Sequence, residues 1–230
     1  GVLIQAHGLI ALTNVQAARN GNPIGGTRGP GARLDNDNSG RPYKVLVTNS
    51  LFNQNYGSGL VVSSLGAITL EGVSAYDNED NLGPNLWDRG DGIRLDNMAG
   101  TYPVSISKYK DTSSSASAND GYGLYIATQG GVAIKNMYAN NNGAMGIQVS
   151  VTAATAKTVS MTEVVSSYNT QTGISVLNNG AITLSDVIAN NNGRITSDAN
   201  GAYLDNTGFG TTGTISVKDS YFNSNYGNGL

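Results

Sequence analysis

The residues with the clearest chemical signature form a short acidic run, Asp35-Asn36-Asp37-Asn38-Ser39-Gly40. Its order, D-x-D-x-S-G, matches the first half of a calcium-binding loop, in which side-chain oxygens coordinate the ion. The ligands would be Asp35, Asp37 and Ser39. The twelfth position, where such a loop needs a bidentate glutamate, is Leu46, and no helical pattern precedes the run. Calcium is therefore one hypothesis for this segment and an ordinary polar turn is the other. No other cofactor is expected.

A second group of candidate functional side chains lies at the end of the long segment between Gly59 and Gly92. It reads Trp87-Asp88-Arg89-Gly90-Asp91 and contains the single tryptophan of the chain. A long loop that combines an aromatic ring with charges is a candidate contact surface. We predict contact roles for four of these residues: Trp87, Asp88, Arg89 and Asp91. The Arg-Gly-Asp triplet resembles an integrin ligand, but Gly90 stands where other turns of this chain also carry glycine.

Both candidate sites belong to a chain that repeats one structural unit. Its clearest copy is the segment 173–192, GISVLNNGAITLSDVIANNN. Apolar and polar residues alternate in two short stretches, which predicts two strands, and no apolar residues recur at helical spacing. Copies begin at glycines along the whole chain: Gly1, Gly31, Gly59, Gly92, Gly123, Gly146, Gly173, Gly201 and Gly229. The steps between these glycines are 23–33 residues, which indicates coils with variable turns on a constant frame.

Four columns of apolar residues run through the eight full copies. In the coil that begins at Gly173 they are Ile174 and Val176 in the first strand, and Ile182 and Leu184 in the second. Side chains alternate between the two faces of a strand, so each column must point to one side. Equivalent strands should stack in parallel around these columns, because one coil cannot bury its apolar face alone. We predict an all-β fold, a parallel β-helix of about eight coils in one domain over residues 1–230.

An asparagine column supports this alignment. Five positions after the residue equivalent to Val187, a polar residue stands in every coil. These residues are Asn20, Asn55, Asn78, Ser114, Asn142, Asn169, Asn192 and Asn225. Stacked side-chain amides can donate and accept hydrogen bonds along a ladder and can bond the backbone of a turn. The column therefore predicts a structural ladder and not a ligand site.

The repeated frame G-x-x-x-x-x-x-G-x-I-x-L-x-x-V, with its asparagine column, resembles right-handed parallel β-helix proteins of the pectin-lyase-like class. The similarity covers all 230 residues and is greatest to bacterial cell-surface and secreted members. The resemblance implies a right-handed coil and an extracellular or cell-surface location in a bacterium. It does not imply one function, because this fold hosts lyases, hydrolases, adhesins and phage spikes.

The catalytic residues of the enzymes with this fold have no counterpart in the sequence. Hydrolases need two carboxylates across the scissile bond. The repeated Leu-Asp-Asn motif supplies Asp35, Asp96 and Asp205, but in coils that lie two or more apart. The single histidine, His7, stands in a short turn, and the chain contains no cysteine. We therefore predict that the chain is not an enzyme, and a polysaccharide lyase or hydrolase is kept as an alternative.

Charge and hydropathy narrow the choice of partners. A net charge of −3 gives no reason to expect nucleic acid, and no apolar run is long enough for a membrane-spanning helix. Both termini interrupt the repeat in register, so we expect a segment of a longer chain or a unit that stacks end to end or laterally on copies of itself. The first functional hypothesis is a structural surface, sheath or filament subunit. The alternative is an adhesive or polysaccharide-binding module of a larger surface protein.

Overall fold

The computed structural model describes residues 1–22, 27–79, 90–193, 199–207 and 213–230. These residues form strands and turns, with one short 3-10 helix at Asp37–Ser39. Within the same ranges, no helix is long and apolar enough to cross a membrane. Each coil supplies one strand to a first sheet and then one or two strands to a second sheet.

The first sheet contains eight parallel strands in chain order. They are Val2–Gln5, Ala32–Asp35, Leu60–Ser63, Ile93–Asn97, Leu124–Thr128, Ile147–Val151, Ile174–Leu177 and Ala202–Asp205. Neighbouring strands pair in the register that the apolar columns predict, so that Leu95 lies between Val62 and Ile126. Both columns of this sheet are confirmed through all eight coils.

The second sheet has twelve strands because it continues around a corner of the coil. Its second strands are Ile10–Thr13, Val45–Thr48, Ile68–Glu71, Val104–Ser107, Val132–Tyr138, Val159–Val165, Ile182–Ile188 and Ile215–Lys218. Its separate third strands are Gln16–Ala18, Leu51–Asn53, Ser74–Tyr76 and Ser114–Ser117. The other two apolar columns are confirmed by its register. A small antiparallel pair joins Gly21–Asn22 to Thr27–Arg28.

The core is a continuous stack of aliphatic side chains. Leu34, Val62 and Leu95 have no accessible surface, because each coil is covered by the coils before and after it. Full burial of one such side chain stabilises the fold by about 1.5–3 kcal/mol. In the first coil, the equivalent Ile4 is covered from one side only and is partly exposed. Parallel strands stacked coil upon coil around an aliphatic core define a parallel β-helix, which confirms the predicted fold class.

The glycine that begins each coil is required by close approach of its neighbours. A Cβ atom at Gly123 would lie 2.5 Å from the Asn142 amide nitrogen and 2.6 Å from the Gly146 carbonyl oxygen. Both distances are too short for any side chain. The same clash with an asparagine amide, at 2.5–2.8 Å, holds at every coil glycine from Gly31 to Gly201. The glycine column and the asparagine column therefore depend on each other.

Candidate functional site

One corner of the β-helix follows the third strand and carries a ladder of eight asparagine side chains. We call it the asparagine corner, and its rungs are Asn20, Asn55, Asn78, Asn119, Asn142, Asn169, Asn192 and Asn225. Asn55 donates from Nδ2 to Asn78 Oδ1 at 2.9 Å, and its main-chain N–H donates to the same oxygen at 3.1 Å. Asn55 Nδ2 also donates to the Ala17 carbonyl oxygen at 3.2 Å. The predicted ladder is thus confirmed.

The prediction that Ser114 is a rung was wrong, because Asn119 takes that place. Asn119 stands 13 positions after Ile106, whereas Asn142 stands 8 positions after the equivalent Ile134. The fourth coil therefore has five extra residues before its rung, and the chain folds back there through an antiparallel bridge between Tyr109 and Thr112. A fixed offset along the sequence could not detect this insertion.

Ser114 has a different structural role at the start of the third strand. Its hydroxyl donates to the Ser107 carbonyl oxygen at 2.8 Å and accepts from the Val73 N–H at 3.1 Å. Ser50 makes the same pair of bonds, to the Thr48 carbonyl oxygen and from the Val15 N–H. Each of these serines bonds its coil to the coil before it. Both lie before the third strand or at its start, whereas the ladder follows the end of that strand.

The residue before each rung has a left-handed backbone. These residues are Arg19, Gln54, Asp77, Ala118, Asn141, Tyr168, Asn191 and Ser224, with φ between 52° and 62°. Left-handed backbone is uncommon outside glycine and is best tolerated by asparagine and aspartate. Side chains just before and just after the rungs line two surface grooves on the asparagine corner.

The charged groove lies over the first four coils and has a volume of about 430 Å³. Its walls are formed by Arg19, Gln54, Tyr56, Asp77, Glu79, Ala118 and Asp120. Three of these side chains are carboxylates and one is a guanidinium. Arg19 donates from Nε to Gln54 Oε1 at 3.1 Å, which joins the first two coils at the surface.

The neutral groove lies over the sixth to eighth coils and also has a volume of about 430 Å³. Its walls are formed by Tyr168, Asn191, Asn192, Gly193, Ser224, Asn225 and Tyr226. None of these lining residues carries a charge. Tyr168 is 47% exposed and Tyr226 is 70% exposed, so both rings are available to a ligand. Sequence reasoning missed this groove, because its two tyrosines stand on opposite sides of their rungs in coils that are two apart.

The run 35–40, which the sequence predicts as a calcium site, forms the turn that follows the strand Ala32–Asp35. It lies at the other end of this strand from the asparagine corner. The main-chain N–H of Asp37 donates to Asp35 Oδ1 at 3.3 Å, and Gly40 closes the turn with φ of 65°. A hydrogen bond that the protonated Asp37 carboxyl group donates to the Asp35 carboxylate, partial burial and the negative charges of Asp35 and Asp96 raise the pKa of Asp37. The side chain of Ser39 lies outside the described parts of the structure. In the described ranges, no group of three His, Asp or Glu side chains is placed to hold a metal ion, so calcium stays a prediction.

The Leu-Asp-Asn motif has a structural role that sequence reasoning did not assign. Asp96 Oδ1 accepts from the Met98 N–H at 3.0 Å, and Asn97 Nδ2 donates to the Tyr102 carbonyl oxygen at 2.7 Å. The aspartate thus caps the start of the turn and the buried asparagine ties its two sides together. The copies that begin at Leu34 and Leu204 make the same two kinds of bond.

The three aspartates of this motif are not a catalytic pair. Asp35 and Asp96 both pair with Ser63, one from each side, so they are two coils or about 10 Å apart along the axis. Asp205 lies four coils beyond Asp96. His7 is exposed and lies beside Asp35 in a small surface depression. The predicted separation of the carboxylates is confirmed.

The predicted contact loop is described only at its end. Trp87, Asp88 and Arg89 lie outside the described residues, so their contact role stays a prediction. Asp91 is fully buried, and its carboxylate accepts from the Tyr122 N–H at 2.9 Å and pairs with Arg94 Nη1 at 3.3 Å. The Arg94 guanidinium in turn lies 4.2 Å from the centre of the Tyr125 ring. Asp91 therefore orders the outer face of the first sheet and does not face solvent.

Comparison with known proteins gives a structural match but no family. No protein-family model matches the chain, and no curated protein matches it. Among solved structures, it is similar to the crystal structure of pectate lyase Pel9A, with 18% sequence identity and a TM-score of 0.49. The match covers 94% of this chain and 51% of the lyase chain, so this chain spans about half the length of that enzyme.

Proposed function

We propose that the chain is a structural β-solenoid, a stiff rod segment of an extracellular surface, sheath or filament. The observation that carries the proposal is the ladder of eight asparagines beside an uninterrupted aliphatic core. Asn142, for example, donates three hydrogen bonds, two of them to Asn169 Oδ1 in the next coil, so adjacent coils are bonded by side chains as well as by strands. Such a column resists bending and local opening, because no coil can separate without breaking bonds on both of its sides.

End-to-end stacking is the form of assembly that this proposal favours. Within the described residues, the strand Val2–Gln5 pairs on one side only in the first sheet, and the side chain of its Ile4 is partly exposed. Unpaired strand edges are templates for pairing with another strand. A second copy placed on this edge would continue both the hydrogen bonding and the apolar columns. The contact would not close on itself, so it would propagate into an open filament.

Electron microscopy of the purified 230-residue chain tests this assembly. End-to-end fibres are expected for the parent chain. Ile4→Lys places a charge on the inner side of the terminal strand and should leave separate rods. Leu3→Lys is the matched control, because Leu3 lies on the outer side of the same strand and is 66% exposed. Separate rods in the parent chain under all concentrations would contradict filament formation.

An adhesive or polysaccharide-binding module is the second candidate, and the two grooves on the asparagine corner favour it. Each has a volume in the range of ligand pockets. A glycan array with the purified chain tests this candidate directly. The third candidate, a polysaccharide lyase or hydrolase, is tested by release of new sugar ends from pectin and other polysaccharides. Catalytic release of such ends would overturn the proposal of a purely structural protein.

A further inference from the structure

We propose that the neutral groove binds an uncharged saccharide between Tyr168 and Tyr226. This inference goes beyond the structural role, because it assigns a ligand class to one place on the rod. It rests on three independent features of the groove. These are a tyrosine in unfavourable backbone, a floor kept open by glycine, and polar groups without partners in the described structure.

Tyr168 is the first feature. Its backbone is left-handed, with φ of 62°, and the equivalent residues of the neighbouring coils are Asn141 and Asn191. Asparagine suits this backbone better than an aromatic residue does. Tyr168 is 47% exposed, so a large part of its surface is not buried and does not offset this disadvantage. Tyr168 is the one aromatic residue among the eight that precede the rungs, and an exposed aromatic side chain at such a position marks a candidate functional position.

Gly193 is the second feature, and it stands in the seventh coil, between the coils that carry Tyr168 and Tyr226. It follows the rung Asn192 and has φ of 97°, a conformation that favours glycine. A Cβ atom there would lie 2.7 Å from the Cβ atom of Tyr226. Glycine therefore leaves the floor of the groove open and lets Tyr226 stand beside it. The Tyr226 ring is 70% exposed and follows the rung two coils after Tyr168.

The polar groups of the groove are the third feature. The rungs Asn192 and Asn225 are bonded to each other at 3.0 Å and form a fixed wall. In contrast, the side chains of Asn191 and Ser224 and the hydroxyls of both tyrosines make no hydrogen bond to another described residue, and these residues are half-buried or exposed, so a ligand can reach them. An amide and three hydroxyls can each donate and accept, and none carries a charge at neutral pH.

These features match the chemistry of a neutral pyranose. Aromatic faces carry partial negative charge and attract the weakly positive C–H bonds on the face of a sugar ring. The amide and hydroxyls of the groove can bond the sugar hydroxyls at its edge. The two tyrosines are two coils apart, about 10 Å along the axis, which is long enough for more than one sugar ring. Among the described lining residues, a sugar acid would find no counter-charge.

Isothermal titration calorimetry of the full chain with cellohexaose and mannohexaose tests the proposal, with hexagalacturonate as the anionic comparison. At least one uncharged probe should bind. Tyr168→Asn and Tyr226→Ala should each weaken that binding tenfold or more. Tyr203→Ala is the matched control, since Tyr203 is 48% exposed on the outer face of the first sheet, and binding should be unchanged.

Three results would overturn the proposal: no binding of either uncharged probe by the parent chain, unchanged binding by both groove variants, or preference for hexagalacturonate. Tyr168→Asn keeps the backbone in a conformation that asparagine favours, so loss of binding in this variant cannot be attributed to unfolding. Circular dichroism of each variant verifies this point. Tyr226 belongs to the eighth coil, whose strands Ala202–Asp205 and Ile215–Lys218 end the two sheets. The titrations are therefore repeated in the Ile4→Lys background, where separate rods are expected, so that loss of binding and loss of filament formation are distinguished.

Discussion

The charged groove and the neutral groove lie on the same corner of the molecule, over the first four coils and over the last three. Both have a volume of about 430 Å³, and both are bounded by the residues before and after the asparagine rungs. Their side chains nevertheless differ in kind. Three carboxylates and a guanidinium line the first groove, whereas two tyrosines, three asparagines and a serine line the second around Gly193.

The comparison separates what the backbone determines from what the side chains determine. The left-handed residue, the asparagine rung and the coil glycine are present in both regions and create the shape of the corner. The residues before the rungs are exposed or half-buried and do not pack in the core, so their side chains can change without loss of the fold. The residues after the rungs vary as well, except where a glycine such as Gly193 leaves no room for a Cβ atom. Surface chemistry on this corner is thus free to differ from coil to coil.

Among the features that the two grooves share, substitution of a coil glycine is expected to cause the largest loss of stability. In Gly123→Ala, the new methyl group would displace the Asn142 amide, which lies 2.5 Å from its position. We expect the free energy of unfolding to fall by about 3 kcal/mol, since overpacking adds to lost hydrogen bonds. Urea denaturation followed by circular dichroism measures the change.

Gly8→Ala is the control for this variant. Gly8 has no atom within 4 Å of a new Cβ atom, and the alanine reduces the freedom of the unfolded chain. Its free energy of unfolding should stay equal or rise by about 0.5 kcal/mol. Equal losses in both variants would refute the dependence of the glycine column on the ladder.

Removal of one rung is expected to have the next largest effect. In Asn142→Ala, the Asn119 N–H and side-chain amide lose their shared acceptor, and the Ala116 carbonyl oxygen loses a donor. Buried groups without partners reduce the free energy of unfolding by about 2 kcal/mol. Asn141→Ala, at the exposed neighbouring position, should lose clearly less. A thermal melt that ranks the two variants in the opposite order would show that the ladder is not a stabilising element.

The repeat itself could be predicted almost completely from the sequence. The columns through Ile182 and Leu184 alternate with polar residues at every coil, and strand register follows from that alternation alone. The ladder was predicted at seven of its eight rungs, and the error at Ser114 arose from an insertion at a corner where length is free to vary. Core packing constrains strands far more than it constrains turns.

The grooves could not be predicted in the same way. Tyr168 precedes its rung, Tyr226 follows another, and only the stacking of coils brings them to one surface. The close contact between Gly123 and Asn142 likewise joins residues of different coils, so no local pattern reveals it. A signal was present in the column of residues before the rungs, where tyrosine stands among mostly small and polar side chains.

Substitutions at the positions before the rungs test how the side chain there affects stability when the backbone is unchanged. Tyr168→Asn should raise the free energy of unfolding by about 1 kcal/mol, because asparagine tolerates the left-handed backbone better. Asn191→Tyr is the reverse exchange one coil further and should lower it by a similar amount. Chemical denaturation of both variants measures these values. If Tyr168→Asn is destabilising, the ring makes a stabilising contact and its departure from local preference no longer indicates binding.

The smallest expected effect concerns two Leu-Asp-Asn turns, which lie away from the asparagine corner. Here too, the backbone is shared and the side chains differ. The N–H of Thr207 and its hydroxyl donate to Asp205 and lower the pKa of that carboxyl group. In the turn at Asp35, the residue equivalent to Thr207 is Asp37, and its pKa is raised by the Asp35 carboxyl, by burial and by nearby negative charge. Two turns with the same backbone bonds therefore contain aspartates whose pKa values are shifted in opposite directions.

The two shifts predict opposite pH dependences. A raised pKa means that ionised Asp37 destabilises the fold, so stability from this group is lost as pH rises through its folded pKa. Asp37→Asn should then stabilise at pH 7 by at most about 0.5 kcal/mol after screening, and the gain should vanish below that pKa. Asp205 contributes stability above its unfolded pKa that is lost as pH falls through its lowered folded pKa, so Asp205→Asn should destabilise at pH 7. Denaturation of both variants at a series of pH values decides the matter, since parallel pH profiles would mean that the side chain two positions after the capping aspartate has no influence on the turn.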